Sequence, residues 1–137
     1  MDRAAFATLT LLSLGVAGYA LVAYGVWPLG AAVHPDMRAS FVAHPGGVYV
    51  HVFASAVALI LGPLQFMPRW RARHPAWHRW AGRLYLGVGI AAGGVAGLYL
   101  ALHAHGGIVS QLGFGGLALA WLYTGGRAYA AIRAGDV

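Results

Sequence analysis

The sequence predicts an all-α, polytopic membrane protein: a bundle of four transmembrane helices with both termini in the cytoplasm. Of its 137 residues, 60% are hydrophobic and 9% are charged, whereas a soluble domain carries about 25% charged residues. Four apolar runs each approach or exceed the ~20 residues that a membrane-spanning helix needs. The arginines gather beside these runs, so lipid is the better solvent for the segments between them.

The apolar runs define one transmembrane domain over residues 1–137. The predicted helices cover residues 4–27, 47–67, 80–102 and 107–129. The first run is longer than the ~7–15 apolar residues of a signal-peptide core, so we expect it to be retained as a helix. Residues 28–46 form an outer loop that contains three prolines, with one short interfacial helix expected near residues 36–43. Residues 68–79 form a basic cytoplasmic loop, and the sequence HAHGG joins the last two helices as an antiparallel hairpin.

The arginines predict the orientation of these helices, because Lys and Arg near span ends stay on the cytoplasmic side. Eight of the nine arginines fall on one side of the four-helix arrangement, and Arg38 alone falls on the other. The stretch RWRARHPAWHRWAGRLY, residues 69–85, holds five of them. We therefore predict a multi-pass protein of the bacterial inner membrane. Since topology explains the basic cluster, no nucleic-acid partner is expected.

The composition excludes several kinds of chemistry. The chain has no Cys, which excludes disulfides and thiolate metal sites. It also lacks Glu and Lys, and its acids, Asp2, Asp36 and Asp136, lie outside the apolar runs. Paired-carboxylate catalysis and a Ser-His-acid triad therefore have little acid to draw on. No catalytic residue is predicted.

A glycine face on the third helix predicts close helix packing. Gly89, Gly93 and Gly97 recur every four residues and share one helical face. Small residues at this spacing let two helix backbones approach closely in lipid. The partner helix belongs either to this chain or to another subunit. Gln65, one turn from the cytoplasmic end of the second helix, needs a polar partner there, and Arg83 is the expected one.

Five of the seven histidines fall on the predicted outer side. If His51 and His103 lie at similar depth on antiparallel helices, their imidazoles could ligate the iron of haem b. With further histidines the group could hold a divalent metal, since neutral imidazole suits zinc and copper. The alternative is interfacial histidines that bind water, lipid or backbone without a cofactor, and the spacing does not distinguish these readings. The candidate metal ligands are His34, His44, His51, His103 and His105.

The basic loop suggests a site for an anionic lipid headgroup, because arginine matches the geometry of phosphate. The alternative is a purely structural loop. The residues that would contact the headgroup are Arg69, Arg71, Arg73, His78, Arg79 and Arg83.

Three segments resemble a known family. They are GPLQF at 62–66, HRWAGRLYL at 78–86 and WLYTGGRAYAAIRAGD at 121–136. Their combination is similar to a bacterial family of multi-pass membrane proteins, domain-of-unknown-function family 2306. The resemblance implies a polytopic helical fold and no established activity, substrate or cofactor. Family members usually continue into further apolar helices, so it also implies a short or truncated member.

Two function classes follow. The first is a non-catalytic accessory subunit of a larger membrane complex of respiratory or photosynthetic type. Such a subunit would contact lipid and either other subunits or a second copy, and would hold no cofactor of its own. The second is a haem- or metal-binding redox protein that uses the outer histidines. A transporter is less well supported, because no carboxylate lies in any predicted span.

Overall fold

The computed structural model of this protein describes residues 2–135, and all regular structure within them is helical. The elements are α1 (Arg3–Gly25), α2 (Pro35–Ala43), α3 (Pro45–Gln65), α4 (Pro68–Arg73), α5 (Pro75–Leu84), a π-helical segment (Tyr85–Ala92), α6 (Gly93–Leu102) and α7 (Gly107–Ala134). The predicted all-α fold is confirmed for these residues. The short helix expected near residues 36–43 is α2.

Three of the helices are long and apolar enough to cross a membrane. They are α1, α3 and the continuous helix Pro75–Leu102, which joins α5, the π-helical segment and α6 and is called the composite helix below. The fourth long helix, α7, has 28 residues but is less apolar, because its glycines, Gln111 and Tyr123 lower its hydropathy. Residues 2–135 therefore form an all-helical structure with three apolar helices of membrane-spanning length.

Prolines begin four of the helices, namely α2, α3, α4 and α5. At the first helical position the missing N–H of proline has no intrahelical partner to lose, and its fixed φ suits the helix. His34, His44 and His74 each precede one of these prolines. The prediction of a loop over residues 68–79 is wrong, because Pro68 and Pro75 begin α4 and α5. The segment is mostly helical.

The long helices of the predicted bundle pack in an open row. In the described part of the chain, α3 packs against α1 and the composite helix, and α7 packs against α6 and the π-helical segment. Neither α1 nor α3 makes substantial contact with α7. The cause is the composite helix, which has small residues on two faces and so separates α3 from α7.

The glycine face of the composite helix packs against α3 of the same chain. A Cβ added at Gly89 would lie 2.7 Å from the Cβ of Ala58. One added at Gly93 would lie 3.4 Å from the Cβ of Ala54. These distances leave no room for larger side chains. The partner of the predicted face is therefore a helix of this chain.

A second face of the composite helix packs against α7. A Cβ added at Gly94 would lie 2.6 Å from the side chain of Leu122, and Gly125 of α7 faces Ile90. Nine of the eleven buried hydrophobic residues among those described are alanines, and the other two are Val48 and Ile90. The core is thus built from small residues that bring backbones together, as is usual in lipid.

The row has two chemically different ends. We call the end with α2 and the α6–α7 turn the histidine end; it holds His34, His44, His103 and His105. The arginine end consists of α4, the first turns of α5 and the last turns of α3 and α7. Gly106 and Gly107 make the α6–α7 turn possible, because their φ values of 99° and 71° are ones that residues with a Cβ rarely adopt.

Candidate functional site

A cavity of about 440 Å³ lies between α3, α6 and α7 and extends to α2 at the histidine end. It exists because α3 and α7 both pack on the composite helix but not on each other. Its volume lies within the ~300–1,000 Å³ of small-molecule sites, which are mostly apolar with a few placed polar groups. The lining includes Phe41, His51, Ser55, Leu59, Gly93, Gly97, Phe114, Leu117 and Trp121.

His51 is the best-oriented polar group in this cavity. Its Nδ1 lies 2.9 Å from the carbonyl oxygen of Gly93 on α6. A carbonyl can only accept, so Nδ1 carries the hydrogen and donates it. In the neutral ring this leaves Nε2 as an acceptor. A Cβ at Gly97 would lie 2.9 Å from Nδ1 and 3.0 Å from Cε1, so the glycine face makes room for the imidazole.

Ser55 brings a hydroxyl to the same wall of the cavity. It lies four residues after His51 and so shares its face of α3. The other serine of the lining, Ser40, donates its hydroxyl to the carbonyl oxygen of His103 at 2.7 Å. The polar character of the inner cavity is therefore concentrated at His51 and Ser55.

A compact cluster closes the histidine end beside the cavity. Nδ1 of His44 and the hydroxyl of Tyr99 are hydrogen-bonded at 2.8 Å. Nδ1 of His103 donates to the carbonyl oxygen of Tyr99 at 2.9 Å. The rings of His44 and His103 have centroids 4.0 Å apart. These contacts connect the start of α3 with the end of α6.

The expected pairing of His51 with His103 is wrong. The residue that faces His103 is His44, whereas His51 lies beside Gly93 and Gly97, more than one turn deeper. The error comes from the register: α3 begins at Pro45, so His51 is well inside the helix while His103 follows the last residue of α6. These two imidazoles cannot ligate one iron from opposite sides.

The five predicted metal ligands are not brought together. Within residues 2–135, no three histidines or carboxylates are placed to hold a metal ion. His34 caps α2, where its Nδ1 accepts from the N–H of Asp36 at 3.4 Å. His105 lines the cavity, and His44 and His103 are used in the end cluster. The structure therefore offers His51, rather than a group of histidines, as the candidate binding residue.

The end cluster yields a prediction about stability. Tyr99→Phe removes the hydroxyl that is hydrogen-bonded to His44, and we expect it to lower the free energy of unfolding by about 1 kcal/mol. Thermal or denaturant unfolding in detergent measures this loss. Tyr49→Phe is the matched control, because Tyr49 lies near the same end and stacks on Phe53 through its ring. Equal stability of the two variants would show that the hydroxyl contributes nothing.

The arginine end presents an exposed basic surface. Arg69, Arg71 and Arg73 lie on α4, and Arg79 and Arg83 lie one turn apart on α5; all five are exposed. The predicted headgroup residues thus share one end of the protein.

Two further side chains lie near this basic surface. The ring of Trp70 packs edge-on against His78 at 5.8 Å, and Nδ1 of His78 is buried without a hydrogen-bond partner among the described residues. Gln65 donates to the carbonyl oxygen of Leu61 at 3.4 Å, and its Oε1 lies over Gly82. The hydrogen bond expected between Gln65 and Arg83 does not form; the amide is satisfied within its own helix.

The sequence profile of the family described as "Predicted membrane protein (DUF2306)" matches residues 48–137, which is well over half of the chain. The chain belongs to this family. The match confirms the resemblance seen in the sequence segments. No curated protein and no solved structure matches the chain.

The DUF2306 match runs from the first turn of α3 through α7. It therefore includes most of the cavity lining, His51 and the arginine end, while α1 and α2 lie outside it. Sequence reasoning missed the cavity, which depends on which helices do not touch. It also missed the role of Tyr99, although a Tyr four residues before His103 was a usable signal for a helix-end contact.

Proposed function

We propose that this DUF2306 protein is a non-catalytic subunit of a larger bacterial membrane assembly. In this proposal it crosses the inner membrane four times and has both termini in the cytoplasm. The observation that supports it is the open row of helices: in the described structure α1 packs mainly on α3, and α7 mainly on the composite helix. Each outer helix keeps most of its surface for lipid or for another subunit.

The fourth span is α7, and its packing supports this. It lies along α6, which belongs to an apolar helix of spanning length. At 28 residues it is longer than the ~20 residues that a span needs. Arg127 and Arg133 lie in its second half, so its basic part falls at the arginine end.

The outer faces of the row are the proposed subunit contacts. α1 has 23 residues but buries only Ala17 and Ala23, so the faces of α1 that point away from α3 are open. α7 buries only Ala118 and Gly125. The neighbours would be other membrane subunits or a second copy of the chain. At the arginine end, the exposed guanidinium groups of α4 and α5 would bind anionic lipid headgroups, each contributing about 1 kcal/mol near a charged surface.

Purification from the native membrane tests the subunit proposal. We expect the tagged chain, extracted in mild detergent, to be recovered with stoichiometric membrane partners or as a defined oligomer, because its outer faces are unpartnered. Mass spectrometry and native gel mobility give the composition. A tagged four-span protein of unrelated sequence controls for adventitious recovery. Isolation of a lone chain under the same conditions contradicts the proposal.

A second candidate function is the binding of a small neutral molecule in the cavity, which the free Nε2 of His51 favours. This replaces the haem hypothesis. Haem b carries two propionate groups, and burying carboxylates without cationic partners is costly. Among the described residues, no arginine lines the cavity.

A further inference from the structure

We propose that the cavity binds a neutral aromatic alcohol, a phenol or hydroquinone type of molecule, whose hydroxyl donates a hydrogen bond to Nε2 of His51. This proposal rests on the second candidate function above and names the chemistry of its ligand. It follows from three features of the cavity: an unused acceptor, a lining without arginine or aspartate among the described residues, and an aromatic wall.

The acceptor is fixed by the fold. Nδ1 of His51 donates to the carbonyl oxygen of Gly93 at 2.9 Å, so in the neutral ring Nε2 keeps its lone pair. His51 lies six residues after Pro45, the first residue of α3, which places it about 9 Å along the helix at ~1.5 Å per residue. In the proposed membrane topology, a polar group at this depth has no bulk water beside it and is stabilised by an internal partner. Within the described residues, no hydrogen bond reaches Nε2.

The lone pair on Nε2 of His51 determines which class of ligand fits the cavity. A ketone or quinone carbonyl cannot pair with Nε2, because both groups are acceptors; it would bond only to other donors of the lining, such as Ser55, and leave Nε2 without a partner. An anion would be buried without a permanently charged partner, because no arginine lines the cavity among the described residues. A neutral molecule with an O–H group satisfies Nε2 and adds no uncompensated charge. Ser55, one turn from His51, adds a hydroxyl to the same wall of the cavity.

The walls favour an aromatic body. Phe114 and Trp121 of α7 line the cavity opposite α3, and aromatic rings pair favourably in edge-to-face or offset arrangements. The competing occupant is a lipid acyl chain, which would fill the same apolar space. An acyl chain makes no hydrogen bond to Nε2 of His51, whereas an aromatic alcohol does. Recognition of a hydroxyl group therefore distinguishes the two occupants.

The experiment compares β-naphthol with its methyl ether, which has the same rings but no O–H. Equilibrium dialysis against the purified full chain in detergent measures both affinities, with empty micelles subtracted. We expect β-naphthol to bind about fivefold to tenfold more tightly, the value of one hydrogen bond. His51→Leu should abolish this preference while leaving the affinity of the ether nearly unchanged. His74→Leu, at the arginine end, should keep the full preference.

Equal affinities for the two probes in the unaltered protein, or a preference that survives His51→Leu, would overturn the proposal. A Soret band in the native preparation that disappears in His51→Leu would overturn it too, because iron would then occupy Nε2. If His51→Leu does not fold, Leu117→Trp serves instead: it fills the cavity and should weaken both probes. If the two probes bind equally and Leu117→Trp weakens the binding of both, the cavity is a binding site that does not recognise a hydroxyl. No measurable binding of either probe would remove the second candidate function itself.

Discussion

Replacing Gly89 by leucine should destabilise this DUF2306 protein by about 3 kcal/mol or more, the upper end of overpacking effects. Even a Cβ at this position would lie 2.7 Å from the Cβ of Ala58 and 2.9 Å from its Cα. The Cα belongs to the backbone of α3 and cannot move aside as a long side chain would. The two helices must therefore separate along the contact that forms the centre of the row. Reversible unfolding in mixed micelles measures the loss.

Gly87→Leu is the matched control, because Gly87 lies in the same π-helical segment and a Cβ there would meet nothing within 4 Å. A leucine at that position faces outward, where lipid accommodates it, and we expect a change within about 0.5 kcal/mol. Comparing Gly89→Leu with Gly87→Leu separates the effect of helix packing on stability from that of helix propensity, because the propensity changes equally at both sites. Similar losses in the two variants would show that the approach of α3 to the composite helix is not what stabilises the fold.

The features that sequence reasoning located correctly depend on local patterns. The Gly89, Gly93 and Gly97 spacing defines a face whichever helix it meets. The short helix expected near residues 36–43 is α2, and Pro35 at its first position suits a helix start. Hydropathy alone locates α1, α3 and the apolar part of the composite helix, residues 80–102. Each of these signals lies within a few residues of the structure that it produces.

The features that were missed depend on relations between helices. The depth of His51 relative to His103 can be judged only when the register of α3 against the composite helix is known. Because α3 starts at Pro45, two residues earlier than predicted, His51 lies further from the start of its helix than expected. The π-helical segment has no distinct signal in a sequence rich in glycine and alanine. The cavity beside His51 arises because α3 and α7 do not touch. No spacing within one helix carries this information.

Cysteine labelling from outside the cell should give an all-or-none result for the two ends of the protein. The chain has no cysteine, so one introduced residue reports alone. We expect a membrane-impermeant maleimide added to spheroplasts to label Ala39→Cys in α2. It should leave Ala72→Cys in α4 unlabelled until the membrane is permeabilised. The reason is the arginine cluster around Ala72, because arginines beside spans remain cytoplasmic. The reverse pattern would invert the proposed orientation.

The number of crossings is decided by Ala134→Cys, at the last residue of α7. If α7 spans, this residue lies with α4 at the arginine end and is protected in spheroplasts. If α7 does not cross, its end stays on the same side as the α6–α7 turn and is labelled together with Ala39→Cys. We expect protection, because α7 packs along the spanning α6 and Arg133 in its last turn would hold that end at the cytoplasmic surface. Labelling of Ala134→Cys in intact spheroplasts would reduce the protein to three spans and move its C-terminus outside.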